Sequence, residues 1–163
     1  MTNTQDENFW RKRIDNHNGI EGAMAIGFYW ELIDPVHKDY IERYIKPTDK
    51  VLDAGCGYGR TSSWFKDELY LGVDFFPEFV AEARRRHPNK NFVIADLCDL
   101  PFEDQEFDWG ILISVRVVVR SDPNGEEKWE RCDKELRRVC KKLMFLDYGA
   151  SDPLEIQKSF EII

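Results

Sequence analysis

The sequence predicts an α/β fold, with helices covering both faces of a doubly wound, mostly parallel sheet of about five strands. Two observations predict it. Short apolar segments alternate with segments whose apolar residues recur at helical spacing, which is typical of parallel strands joined by right-handed crossovers. A glycine-rich turn directly follows the first predicted strand, at the position where such sheets bind nucleotide-type ligands.

Length and composition indicate one domain over residues 1–163, with a polar tail at 1–9. The net charge of −8 disfavours a nucleic-acid partner, because proteins that bind phosphate backbones usually present a basic surface. Neither a membrane-spanning run nor a signal peptide is recognisable, so we expect no membrane association. The four cysteines form no C-x-x-C pair, which predicts reduced thiols, a cytoplasmic location and no metal site.

Apolar patterning assigns the elements in chain order. Asp34-Pro35 is typical of a helix start, and this helix leads into a first strand at Lys50–Asp53. The later elements are predicted as a helix beginning at Thr61–Lys66, a strand at Leu69–Asp74, a helix at Pro77–His87, strands at Asn91–Asp96 and Phe107–Ser114, a helix after Asp122-Pro123, a strand at Lys142–Asp147 and a short helix at Leu154–Ile163. The nearly continuous apolar run of the fourth strand indicates that both of its faces are covered.

The turn after the first strand carries the most specific motif, Val-Leu-Asp-Ala-Gly-Cys-Gly-Tyr-Gly-Arg at 51–60. Glycine permits sharp turns and close approach of a ligand to the backbone. A dinucleotide fingerprint would require a further glycine at the position of Arg60. The Asp-x-Gly-x-Gly-x-Gly arrangement instead resembles motif I of the class I S-adenosylmethionine (SAM)-dependent methyltransferases, which have a Rossmann-like fold.

Three further segments match this family in the expected order: Gly72-Val73-Asp74-Phe75, Ala95-Asp96-Leu97, and the run from Leu100-Pro101-Phe102 to Phe107-Asp108. The last of these is similar to the small-molecule, methyltransferase type 11-like branch. The resemblance implies SAM as the cofactor. The residues that it implies for cofactor binding are Asp53, Ala54, Gly55, Cys56, Gly57, Asp74, Phe75, Asp96, Leu97 and Ser114.

The resemblance also implies roles within this set. Asp74 would bind the ribose hydroxyls, Phe75 would lie against the adenine, and Asp96 with the backbone of Leu97 would contact the adenine edge. The amides of the glycine turn, near a helix N-terminus, suit the methionine carboxylate. Asp53 would meet the methionine ammonium, or alternatively cap its own loop.

The implied activity is methyl transfer to an oxygen or nitrogen of a small-molecule acceptor or a protein side chain. A catalytic base is not assigned, because the sulfonium already makes the methyl group electrophilic. The acceptor site is expected among residues 10–30, which form either a lid or a packing helix, and among Ser114–Arg120 and Asp147–Ala150. His17 and Tyr29 are candidate acid/base groups, and Arg116 or Arg120 could hold an anionic acceptor.

The C-terminus departs from the family pattern. About 16 residues follow Asp147, too few for a crossover helix and the family's two-stranded hairpin. The fifth strand would then be an exposed edge, covered by the last helix or by a second copy in a homodimer. Two alternatives stay open: a non-catalytic SAM-binding subunit that acts with a partner, and a nicotinamide-dependent oxidoreductase.

Overall fold

The computed structural model describes residues 4–16, 19–20, 27–120, 124–146 and 160–163. It divides into two compact units, residues 1–43 and 44–163. None of the helices in these described ranges is both long enough and apolar enough to cross a membrane.

The N-terminal unit contains helix α1 (Thr4–Asn16) and most of helix α2 (Gly27–Tyr44). Helix α1 includes residues 4–9, which we expected to be part of a tail. Of the expected lid at 10–30, residues 17–18 and 21–26 lie outside the described part of the chain, and the rest is largely helical.

Helix α2 begins well before Asp34-Pro35, so the predicted helix start is wrong and Pro35 lies inside the helix. An interior proline removes one backbone hydrogen bond and costs about 3 kcal/mol. The helix also carries a buried row at a spacing of four residues, formed by Ile33, His37 and Ile41. Each buried isoleucine contributes about 1.5–3 kcal/mol.

The larger unit contains the sheet. Its strands are β1 (Val51–Ala54), β2 (Tyr70–Asp74), β3 (Asn91–Ile94), β4 (Trp109–Ile113), β5 (Leu143–Leu146) and β6 (Phe160–Ile162). Their order is β3-β2-β1-β4-β5-β6, with the first five parallel and β6 antiparallel to β5. The helices are α3 (Pro77–Arg86), α4 (Val115–Arg120) and α5 (Gly125–Val139). The predicted doubly wound α/β class is confirmed, with one strand more than expected.

Helices cover both faces of the sheet, as the alternation of elements predicts. Trp129, Cys132, Leu136 and Val139 on α5 form one apolar row in the main core cluster, together with buried residues of β1, β2, β4 and β5. On the opposite face, Val80 and Ala83 of α3 join Tyr70 and Phe92 in a smaller cluster. The carboxyl ends of the strands are left to the connecting loops.

The C-terminal strand β6 corrects the prediction of a last helix at Leu154–Ile163. Residues 160–162 pair with β5, with Met144 opposite Ile162, and residues 154–159 lie outside the described chain. The backbone groups of Leu143 and Ile163 exchange hydrogen bonds of 2.8 and 3.1 Å. The fifth strand is therefore not an exposed edge, and the homodimer expected through that edge loses the reason for which we predicted it.

Candidate cofactor site

The carboxyl ends of β1, β2 and β4 meet where the strand order reverses. Strand β1 pairs with β2 on one side and with β4 on the other, so the connections from β1 and β4 leave in opposite directions. Open α/β sheets bind their ligands in the crevice outside this switch point. The glycine turn and Asp74 both lie here.

The glycine turn is bound tightly to β2. Gly55, Gly57 and Gly59 have φ angles of 79°, 54° and 77°, in the left-handed region that favours glycine. The amides of Gly55 and Cys56 both donate to the carbonyl oxygen of Val73, at 2.8 and 2.9 Å. The path of the turn is thus determined by β2 as well as by its own sequence.

Two of the three glycines are also required by packing. A Cβ atom on Gly55 would lie 2.5 Å from Cγ2 of Val115, and one on Gly59 would lie 2.7 Å from Cζ of Phe92. The sequence suggests ligand approach as the reason for glycine at these positions. The structure adds that α4 and β3 pack directly against the turn.

Asp74 is a buried carboxylate at the end of β2, with 7% of its surface exposed. Its Oδ2 accepts a hydrogen bond from the amide of Gly57, and its Oδ1 accepts one from the amide of Phe76, both at 3.0 Å. Burial raises the pKa of Asp74 to about 6, against the lowering effect of these two amides. The side chain therefore joins the glycine turn to the start of α3.

Asp53 faces the interior of the same region and is 3% exposed. Its Oδ2 accepts hydrogen bonds from the hydroxyl groups of Thr61, at 2.6 Å, and Tyr70, at 2.8 Å. Burial raises the pKa of Asp53, and these two hydrogen bonds lower it. This geometry favours the loop-capping interpretation of Asp53, because the carboxylate ties the end of the glycine turn to β2.

The helix predicted to begin at Thr61–Lys66 is not an α-helix. The chain forms short 3₁₀ turns at Ser62–Trp64 and Asp67–Leu69 and then enters β2. The amides of Gly55, Cys56, Gly57 and Gly59 are all engaged in hydrogen bonds within the protein. The 3₁₀ turns thus replace the α-helix N-terminus that we expected beside the methionine carboxylate, and these four amides are already used within the protein.

The predicted adenine side lies beside β2 and β3. The amide of Ala95 donates to the carbonyl oxygen of Asp74 at 3.1 Å, which places the segment after β3 next to that carboxylate. Asp96 is exposed, and its Oδ1 accepts a hydrogen bond of 2.9 Å from the amide of Cys98. Leu97 packs against the main core, and Phe75 is half-buried. Four predicted cofactor residues thus lie at the carboxyl edge of the sheet: Asp74, Phe75, Asp96 and Leu97.

Ser114 ends β4 in an unusual conformation. Its φ is 61°, and its amide donates to the carbonyl oxygen of Leu146 at 3.1 Å. Its Oγ is buried and has no hydrogen-bond partner within the described parts of the chain. Left-handed non-glycine residues cluster at functional sites, and buried polar atoms are normally hydrogen-bonded. A polar ligand group at the switch point would satisfy this hydroxyl, so the residues fit a nucleoside-type cofactor.

The expected acceptor residues are only partly placed. The guanidinium of Arg116 pairs with Glu161 at 2.5 Å and lies 4.6 Å from the centre of the Phe145 ring. Arg120 pairs with Glu126 at 2.6 Å. Both cations are thus paired with carboxylates of this chain, which weakens their assignment to an anionic acceptor. His17, the Tyr29 side chain and residues 147–150 lie outside what the structure describes.

Sequence reasoning missed Thr61 and Tyr70. Tyr70, Gly72 and Asp74 occupy alternate positions of β2 and therefore share one face of the sheet. Tyr70 is a hydroxyl-bearing aromatic residue on an otherwise apolar strand. Its place in this alternation could have indicated it as a partner for a buried acid. Thr61 gives no such signal, because its contact with Asp53 depends on how the turn folds back.

Comparison with known proteins agrees with this geometry. A family model described as a methyltransferase domain matches residues 52–144. A protein of Encephalitozoon cuniculi (strain GB-M1), named as a candidate methyltransferase, is 32% identical over 142 residues that cover 85% of this chain and 62% of that protein. The solved structure of a SAM-dependent methyltransferase from Methanosarcina mazei is 26% identical, with a TM-score of 0.60 over 68% of this chain and 57% of that one.

A third match is a complex between a Haloferax volcanii methyltransferase activator and a candidate methyltransferase. It is 22% identical, with a TM-score of 0.60 over 85% of this chain and 59% of that one, and it shows similarity of fold. The chain spans about three fifths of the length of these proteins. The family-model match and the shared fold together show that this chain belongs to the class I methyltransferases, whose methyl donor is S-adenosylmethionine.

Proposed function

We propose that the chain binds SAM at the carboxyl ends of β1 to β4 and transfers its methyl group to an oxygen or nitrogen of a small molecule or a protein side chain. The observation that carries the proposal is the hydrogen-bonding capacity of the Asp74 carboxylate. An ionised carboxylate has about four acceptor positions, and backbone amides of the glycine turn and of the residues after β2 occupy only part of them. The remaining acceptor capacity would suit hydroxyl donors such as those of a ribose.

The other predicted cofactor residues take roles that follow from their positions. Phe75, Asp96 and Leu97 lie on the side where an adenine attached to that ribose would extend. The Ser114 hydroxyl lies at the end of β4, across the switch point. Ala54, Gly55, Cys56 and Gly57 contribute through the backbone of the turn, and we assign Asp53 to holding that turn in place.

Bound SAM supplies an electrophilic methyl group on a sulfonium, so the chemistry requires little proton transfer from the protein. The chain's part is to orient the cofactor, align the acceptor and exclude water. We propose no general base, because the need for one depends on the acidity of the acceptor.

A second candidate function is a SAM-binding subunit that methylates only together with a partner. Two observations favour it. The chain spans about three fifths of its relatives, and one structural neighbour is in complex with a methyltransferase activator. Incubation of the isolated chain with labelled SAM and pools of small-molecule and protein acceptors separates the two. Labelled product from the isolated chain supports the first candidate, and product only after addition of cell extract supports the second.

Calorimetric titration with S-adenosylhomocysteine tests the site. Asp74→Asn should weaken binding about 10- to 100-fold, because a buried hydrogen bond to a charged group is worth roughly 1–3 kcal/mol. Asp108→Asn is a matched control, since Asp108 also accepts from one backbone amide, that of Lys50 at 2.9 Å, and lies at the opposite edge of the sheet. Unchanged affinity in a folded Asp74→Asn protein would show that Asp74 does not bind the ribose. NAD serves as a control ligand and should not bind.

A further inference from the structure

Two cysteines from different elements place their sulfur atoms side by side. Cys98 lies in the loop after β3 and Cys132 lies on α5, and their Sγ atoms are 2.6 Å apart. A disulfide bond is about 2.05 Å long, so bond formation requires only a small further approach. All four cysteines are free thiols in the structure.

The four thiols differ in reactivity. Cys98 is partly exposed, whereas Cys56, Cys132 and Cys140 are buried. The hydrogen bond with Cys132 lowers the pKa of Cys98, and the same contact raises the pKa of Cys132. Burial raises the pKa of Cys140 to about 12 and also raises that of Cys56. Since the thiolate is the reactive form, Cys98 is the nucleophile of the set and Cys132 is its adjacent partner.

We propose that Cys98 and Cys132 form a modification site, at which a hydroperoxide oxidises the pair to a reversible intramolecular disulfide. The Cys98 thiolate attacks the terminal peroxide oxygen, so that an S–O bond forms, the O–O bond breaks and the other oxygen leaves as alkoxide, or as hydroxide when the oxidant is hydrogen peroxide. The Cys132 sulfur then attacks Sγ of Cys98 and displaces the hydroxyl group, which leaves as water with the Cys132 proton. The two sulfurs together lose two electrons, and the peroxide gains them.

The position of the pair determines what the bond would restrain. The amide of Cys98 donates to the carboxylate of Asp96, and Cys132 belongs to the apolar row that α5 buries in the main core. The disulfide would fasten the loop after β3 to the core and close a loop of 34 residues. Closing such a loop should raise the midpoint of thermal unfolding by several degrees. This proposal does not depend on SAM binding, so it can fail or succeed separately from the proposed function.

The test treats the full chain with stoichiometric hydrogen peroxide, followed by alkylation and mass spectrometry. We expect a loss of about 2 Da, from the two thiol hydrogens, and a cross-linked peptide containing Cys98 and Cys132. Dithiothreitol should reverse both changes and the increase in thermal midpoint. Oxidation of Cys98 to sulfinic acid without a cross-link, or a cross-link between other cysteines, would overturn the proposal.

Three variants assign the roles. Cys132→Ala should leave Cys98 as a sulfenic acid that dimedone traps. Because Cys132 is 1% exposed and this variant can fail to fold, Cys98→Ser provides a second test at a partly exposed position. It should slow oxidation of Cys132 at least tenfold, since the low-pKa thiolate is removed. Cys140→Ala is the matched buried control and should form the cross-link at the wild-type rate. If Cys98→Ser leaves the rate of thiol loss unchanged, Cys98 is not the nucleophile.

Discussion

At the amino edge of the sheet, Glu106 and Asp108 lie beside lysine side chains, whereas at the carboxyl edge Asp53 and Asp74 are buried among amide and hydroxyl groups. Lys50 Nζ is 2.7 Å from Glu106, and Lys141 Nζ is 2.8 Å from Asp108. These hydrogen-bonded lysines lower the pKa of both carboxyls at the amino edge. Burial raises the pKa of both carboxyls at the carboxyl edge.

The difference shows how one sheet separates stability from binding. At the amino edge, each carboxylate is matched by a cation of the same chain, so its charge is already neutralised. At the carboxyl edge, the partners of Asp74 are backbone amides that leave part of its acceptor capacity unused. A ligand that brings hydroxyl donors would complete this arrangement.

The largest expected effect comes from Gly57→Val at the carboxyl edge. Gly57 has a φ of 54°, and a β-branched residue in this region costs on the order of 1–3 kcal/mol. The strain would also displace the Gly57 amide, whose hydrogen bond the Asp74 carboxylate accepts. We expect affinity for S-adenosylhomocysteine to fall about 100-fold or more, measured by calorimetry, with folding checked by circular dichroism.

Gly57→Asn is the control for that experiment, because asparagine tolerates the left-handed region. Gly57→Asn should still bind S-adenosylhomocysteine measurably. Wild-type affinity in a folded valine variant would remove the glycine turn from the cofactor site and erase the proposed difference between the two edges.

The pH dependence of stability should have opposite signs at the two edges. The pKa of Asp74 is raised from 3.8 to about 6 in the folded state, so its contribution is fully present below the lower value and is lost as pH rises through the higher one. The pKa of Asp108 is lowered, so its contribution is present above 3.8 and is lost as pH falls through its folded value. Urea unfolding at several pH values measures both.

Between about pH 4 and pH 7, wild type should lose on the order of 1–3 kcal/mol more of its free energy of unfolding than Asp74→Asn does. Asp108→Asn should have a lower free energy of unfolding than wild type near neutral pH, and this difference should disappear as pH falls below about 4. Parallel pH profiles for wild type and Asp74→Asn would contradict the raised pKa.

The smallest effect is expected from Lys141→Met at the amino edge. The Lys141 side chain is 53% exposed, and ion pairs of this kind contribute about 0–1 kcal/mol. Urea unfolding should show a change below about 1 kcal/mol, and the affinity for S-adenosylhomocysteine should stay at the wild-type value. A changed affinity would mean that the two edges are coupled through the sheet.

The parallel strands and the positions of Asp74 and the glycine turn were predictable, because each depends on local patterning along the chain. The alternation of apolar segments predicts β1 to β5, and the pairings in the structure agree. The largest departure involves a distant partner, since strand β6 forms where residues 160–162 pair with β5. The start of α2 differs for a local reason: Asp34-Pro35 is typical of a helix start but lies inside a longer helix.

The same distinction applies within the site. The sequence alone determines that a left-handed turn follows β1, because three glycines at alternate positions permit it, and that an acid ends β2. Only the tertiary structure decides that the amides of the turn are used within the protein, that Asp53 faces Thr61 and Tyr70, and that Cys98 meets Cys132. The physical reason is that a hydrogen bond or thiol contact between distant residues depends on how whole elements pack, whereas backbone preference is a property of each residue.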